Sequence, residues 1–194
     1  MKQDIILAGV GGQGILSIAT VIGSAALEQG LYIKQAEVHG MSQRGGDVQS
    51  HLRLSTAPVH SDLIPLGGAD LIVSLEPMEA LRYLPYLSPE GWIVTNSVPF
   101  QNIPNYPEVE KILEELRSLP QVIVLDVEAT AKEVNSPRSA NMVLLGATSS
   151  VMGLLDPDKL RDGIRRIFAR KGDAIVDANL KAFDAGLRLS RQTE

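Results

Sequence analysis

Residues 5–14 read IILAGVGGQG, an apolar run that passes directly into a glycine-rich turn, with an unbroken helical pattern starting at Ile15. Strand, tight turn and helix N-terminus therefore follow one another without a spacer. Glycine suits such a turn because a Cβ would forbid the backbone angles it needs and would hold a ligand away from the main chain. The first amides of the helix have no intrahelical acceptor and carry partial positive charge, which favours a phosphate or a carboxylate. Gly9 and Gly14 have P-loop spacing, but Ile15 and Leu16 stand where that motif needs Lys and Ser or Thr, so nucleotide hydrolysis is excluded. Gly9, Gly11 and Gly14 also satisfy the dinucleotide fingerprint, with Glu37 near the end of the second strand to meet the ribose hydroxyls. The alternative is that the same glycines only pack a strand closely against a helix.

Outward from this unit the chain alternates element types. A helix over residues 15–29 is closed by Gly30, and a second strand covers 31–36. Residues 48–55 alternate, with Val48, Ser50, Leu52 and Leu54 on one side and Gln49, His51 and Arg53 on the other. That pattern predicts a half-exposed, antiparallel strand. Short apolar strands over 71–75, 92–96 and 122–125 are separated by a helix starting near Pro77 and an amphipathic helix over 108–119. From Val127 onward only helices are expected, opened by the pairs Ser136-Pro137 and Asp156-Pro157, with a last helix over 174–191. The expected fold is α/β: a three-layer Rossmann-like domain with a mostly parallel central sheet, helices on both faces and a helical C-terminal third.

Composition narrows the function. The 194 residues are 44% apolar, enough for one substantial core, so residues 1–194 are expected to form a single domain. A net charge of −5 without a dense basic block gives no electrostatic footprint for nucleic acid. No apolar stretch reaches bilayer length and Met-Lys-Gln-Asp enters a strand directly, so a cytoplasmic protein without a membrane partner is expected. Cysteine is absent, which removes disulfides, thiolate nucleophiles and Cys-ligated clusters together.

The second unusual segment is residues 37–47, EVHGMSQRGGD. Gly45-Gly46 frees main-chain amides to approach a ligand, and Arg44 offers a bidentate fork for a carboxylate or phosphate. An ordinary turn with Arg44 as a solvated charge accounts for it equally well. Taken together, Gly9, Gly11, Gly12, Gln13 and Gly14 with Glu37, His39, Ser42, Gln43, Arg44, Gly45 and Gly46 give the chain a more specific likeness. It resembles the gamma-type domain of the 2-oxoacid:ferredoxin oxidoreductases. The run His39-Gly40-Met41-Ser42-Gln43-Arg44-Gly45-Gly46 looks most like the small (beta) subunit of the indolepyruvate-oxidising branch. The similarity continues through Pro137-Arg138-Ser139-Ala140-Asn141-Met142.

What the resemblance implies is a hetero-oligomer. In such complexes a 2-oxoacid is decarboxylated oxidatively on thiamine diphosphate, electrons leave through iron–sulfur clusters to ferredoxin, and coenzyme A takes the acyl group. The cofactors carry that chemistry and the protein positions them. With no Cys and no Gly-Asp-Gly motif of the thiamine-diphosphate type, this chain would be an accessory subunit, inactive alone, with an aryl pyruvate as substrate of the complex. A large (alpha) partner would hold thiamine diphosphate, magnesium and the clusters. Gly9, Gly11, Gly12, Gln13 and Gly14 would lie on the coenzyme A path, and Glu37, His39 and residues 42–46 at the partner interface or the active site. The rival reading is a free-standing dinucleotide-binding protein. His39 and His51, isolated from other metal-ligand types, are expected to be structural or surface residues. The run Arg161, Arg165, Arg166, Arg170 and Lys171 reads as a solvated helix face, Glu76 and Glu79 as acidic first-turn residues, and Asn96 and Ser97 as the rim of a pocket.

Overall fold

The computed structural model describes residues 1–39, 45–101 and 103–191. Six strands form one sheet: β1 (Lys2–Val10), β2 (Tyr32–His39), β3 (Asp47–Ser55), β4 (Ala69–Ser74), β5 (Leu87–Asn96) and β6 (Val122–Leu125), in the order β2-β3-β1-β4-β5-β6. β3 runs antiparallel to both β2 and β1, and the remaining pairs are parallel. Helices α1 (Ile15–Glu28), α4 (Val127–Glu133), α5 (Ala140–Ser149), α6 (Pro157–Phe168) and α7 (Asp173–Ser190) cover one face. The other face carries α2 (Pro77–Arg82) and α3 (Val109–Arg117). Among the described residues no helix is long and apolar enough to cross a membrane.

The central strand explains why its sequence is apolar without a break. Ile5 and Leu7 enter the core beneath α1 while Ile6 and Ala8 enter the one beneath α2, all four without exposed surface. α1 buries Ile15, Ile18, Ala19, Val21, Ile22, Ala25 and Ala26, the stripe expected of one helical face. It ends on Gly30 at φ +74°, where the Leu31 amide donates to the Ala26 carbonyl at 2.9 Å and the Gly30 amide to Leu27 at 3.1 Å. Only a residue without a Cβ adopts that left-handed turn at no cost.

Two local expectations need correction. β3 is not half-exposed: the side bearing Gln49, His51 and Arg53 lies under the connection to β4. The Ile64 amide donates to His51 Nδ1 at 3.0 Å, and Arg53 donates to the carbonyls of Ser61 and Leu63 at 3.1 and 2.9 Å. Arg53 also pairs with the fully buried Asp4 at 2.9 Å. Polar alternation therefore marks a covered hydrogen-bonding face here, not a wet one. The helix expected at Ser136-Pro137 begins instead at Ala140, because the Ser139 amide turns back to the Ser136 carbonyl at 2.9 Å.

α5 and α7 touch through their backbones. A Cβ on Gly146 would lie 1.9 Å from the Phe183 carbonyl oxygen, and one on Gly186 would lie 1.9 Å from that of Val143. The basic run of α6 is also more engaged than a solvated face. Arg161 pairs with Asp158 and Asp184, Arg165 with Asp162, and Arg166 reaches Glu28 of α1.

Candidate functional site

The carboxyl ends of β1, β4, β5 and β6 share one edge of the sheet, the edge where open α/β sheets bind ligands. The glycine turn leaves β1 there. Gly12 and Gly14 take φ values of +104° and +89°, which side-chain-bearing residues rarely adopt. The turn is folded on itself by Gln13, whose Oε1 accepts from the Val10 amide at 2.7 Å. A Cβ on Gly9 would sit 3.0 Å from that oxygen, so Gly9 makes room for Gln13 as well as for close strand–helix packing. The Gln13 amide itself donates to the Val10 carbonyl at 3.1 Å. The amides of Gly12, Gly14, Ile15 and Leu16 have no acceptor among the described residues.

The structure brings the two sequence motifs together. The Gly11 amide donates to the Gly46 carbonyl at 2.8 Å, and the Gly45 amide reaches the Gly11 carbonyl at 3.4 Å. Of the turn's amides, those of Gly11 and Gln13 are therefore already used, and the open ones sit toward α1. Ser42, Gln43 and Arg44 lie outside the described residues. His39 ends β2 opposite Val48, and the exposed Glu37 accepts from Gln35 Nε2 at 2.7 Å.

Glu37 is out of place for a dinucleotide ribose. β3 lies between β1 and β2, with Ser50 opposite both Leu7 and Glu37. At roughly 4.8 Å per strand the carboxylate is displaced by about one strand width from the crevice beside β1. His51 is a core residue: it accepts the Ile64 amide, and burial pushes its pKa below the usual imidazole value.

A polar chain crosses the same edge and links the expected rim residue Asn96 to Gln13 and to Glu128, a residue sequence reasoning did not single out. Gln13 Nε2 donates to the Leu75 carbonyl at 3.0 Å, and Asn96 Nδ2 reaches that oxygen at 3.3 Å. Asn96 also donates to Glu128 Oε1 at 3.3 Å and accepts the Val127 amide at 3.3 Å, tying the end of β5 to the first turn of α4. Burial raises the Glu128 pKa, and its Oε2 is enclosed without a partner among the described residues. Ser97 adds a backbone bond to the Leu125 carbonyl at 2.9 Å. Nearby, the buried Glu76 accepts from the Glu79 amide at 2.8 Å, the Phe100 amide at 3.4 Å and the Tyr106 hydroxyl. Burial, followed by the bond to Glu76, pushes the Tyr106 phenol far up. No periodicity signals these roles, because each depends on residues far apart in the chain.

Residues 4–189 match the family model of the pyruvate ferredoxin/flavodoxin oxidoreductases. The chain belongs to that family. It is 37% identical to the indolepyruvate oxidoreductase subunit IorB of Pyrococcus horikoshii, over 99% of this chain and 98% of that one. The keto/oxoacid ferredoxin oxidoreductase gamma subunit of Geobacter sulfurreducens has the same fold, at a TM-score of 0.75, 23% identity and coverage of 99% and 98%. The 2-oxoglutarate:ferredoxin oxidoreductase of Magnetococcus marinus, solved with 2-oxoglutarate, coenzyme A and succinyl-CoA bound, aligns at a TM-score of 0.76 and 24% identity. This chain covers 31% of that larger one and is itself covered to 98%. It is accordingly a small subunit of a 2-oxoacid:ferredoxin oxidoreductase.

Proposed function

We propose that residues 1–194 form one gamma-type domain acting as the small (beta) subunit of a complex that oxidises an aryl pyruvate such as indolepyruvate. The product would be the acyl-CoA, with ferredoxin reduced. The observation that carries this reading is the near-full-length likeness to indolepyruvate oxidoreductase subunit IorB, over a span that contains both loops joined by the Gly11–Gly46 bond.

In this reading thiamine diphosphate, magnesium and iron–sulfur clusters belong to a large alpha partner, since this chain has no Cys to hold a cluster. Thiamine diphosphate supplies the carbanion chemistry there. The open amides of Gly12, Gly14, Ile15 and Leu16 fit an anion and would take a phosphate of coenzyme A. Glu37, His39 and residues 42–46 would face the partner, and Arg44 would pair with a carboxylate or phosphate across that interface.

The test is to co-purify the chain with its partner from the native cell and follow ferredoxin reduction with indolepyruvate, pyruvate and 2-oxoglutarate. Turnover that needs both chains and favours indolepyruvate is the expected outcome. Arg44→Ala should leave the melting temperature of the isolated chain nearly unchanged and weaken assembly or turnover, consistent with the roughly 2–5 kcal/mol lost when a buried charge pair is truncated. Turnover by the single chain, or its saturable binding of a nicotinamide dinucleotide, would overturn the reading.

A further inference from the structure

A second recess lies on the helical side of Gly14, separated from the glycine turn by Asn141, whose Nδ2 donates to the Gly14 carbonyl at 3.2 Å. It is a cleft of about 590 Å³ between the first turns of α1, α5 and α7. That volume is within the ordinary range for small-molecule sites, about 300–1,000 Å³.

Its lining is one-sided in charge. Arg138 and Lys171 border it, no Asp or Glu does, and neither cation has an ion-pair partner among the described residues. Ser139 is only 4% exposed, yet among the described residues its hydroxyl neither caps α5 nor makes any other hydrogen bond, and it borders the cleft. Its oxygen is not sealed off by protein, so it opens into the cleft, where water or a ligand can satisfy it. The amides of Ala140 and Asn141 at the start of α5 also lack acceptors among the described residues.

The remaining wall has a different chemistry. Phe168 and Ile175 supply an apolar surface, and Asn179, 6% exposed, spends its Nδ2 on the Ile175 carbonyl at 2.7 Å. Its Oδ1 is left to accept from a hydroxyl group. Two cations, a hydroxyl and free amides suit a dianion better than a single carboxylate. The apolar wall and the lone acceptor suit a flat ring carried on a sugar.

We propose that this cleft binds a phosphate monoester of a nucleoside, either a free nucleotide or the nucleotide end of a larger carrier. It uses side chains and amides other than those of the glycine turn, so it stands or falls separately from the proposed function.

The test is calorimetric titration of the full chain with adenosine 5′-monophosphate, coenzyme A and inorganic phosphate. Saturable binding of the monophosphate, weakened about tenfold or more by Arg138→Ala and separately by Lys171→Ala, is expected; about tenfold is the scale of one charge-assisted contact. Arg138→Lys should recover part of the loss, and Arg165→Ala, which removes an exposed pair with Asp162 away from the cleft, should leave binding unchanged. Binding of coenzyme A alone, with the same dependence on Arg138 and Lys171, supports the site and identifies the carrier as its ligand. The proposal is overturned if neither organic probe binds at millimolar concentration, if inorganic phosphate binds as tightly as both, or if binding survives both alanine substitutions. Both side chains are exposed, so loss of fold does not confuse the result.

Discussion

Among the described residues three helices supply an anion at their own N-terminus, and two that meet beside the glycine turn do not. Glu76, Asp126 and Asp156 each accept a first-turn amide of α2, α4 and α6, at 2.8, 2.7 and 2.7 Å. α1 and α5 start instead on Gly14 and Ser139, neither of which forms a side-chain cap. A helix begun by its own carboxylate has filled the place where a ligand anion would sit. α1 and α5 leave that place open, and Asn141 holds the two starts together. The difference separates helix ends that serve the fold from helix ends free to serve a ligand.

The sharpest way to break this comparison is at the most heavily used carboxylate. Glu76→Ala leaves the Glu79 and Phe100 amides and the Tyr106 hydroxyl without their acceptor in a buried setting. Denaturant unfolding should show a loss of about 3 kcal/mol or more. A loss under about 1 kcal/mol would mean that Glu76 is not the keystone of this corner.

A paired measurement sharpens it further. Asp156→Ala should cost about 1 kcal/mol, as loss of a cap does, whereas Ser139→Ala should cost under about 0.5 kcal/mol because no cap bond is lost. Equal costs at the two positions would erase the distinction between closed and open helix starts.

The smallest effect expected is a dependence on pH at Glu128. Burial raises its pKa, so the folded state favours the neutral acid. Its contribution is fully present below the unfolded carboxyl value and is lost as pH rises through the folded value. Glu128→Gln keeps the neutral form throughout. The variant should melt slightly higher than the parent near about pH 8, with the gap closing near about pH 4. A gap that does not change with pH would show that charge at Glu128 is not what limits the folded state.

Much of this architecture is legible in the linear chain. The two-sided apolar run of β1, the stripe of α1 and the punctuation by Gly30 and Asp156-Pro157 each report a local cause that the structure repeats. The antiparallel direction of β3 was readable from its alternation. Its burial was not, because the cover comes from residues 61–64 through backbone groups that carry no sequence signal. The two glycine-bearing motifs are legible in the chain, but their junction through Gly11 and Gly46 is a backbone contact between distant loops. Asn96 was legible as a rim residue, whereas Glu128 and Asn141 were silent as ligand-edge residues, since any polar residue at a helix start fits the local pattern. The start of α5 was misplaced because Ser136-Pro137 has helix-opening chemistry yet closes a separate turn.

The paired contacts of Gly146 with Phe183 and of Gly186 with Val143 have a consequence away from the core. Asn141 and Asn179, on opposite walls of the Arg138 cleft, lie five and seven residues before those glycines, or about 7 and 10 Å along α5 and α7 at 1.5 Å per residue. The crossing is thus a fulcrum and the two first turns are its jaws. A methyl group added at either glycine cannot be absorbed by a rotamer change, because the obstructing atoms are carbonyl oxygens. The helices must separate there, and the gape of the cleft changes with them, although no residue at its surface has been altered.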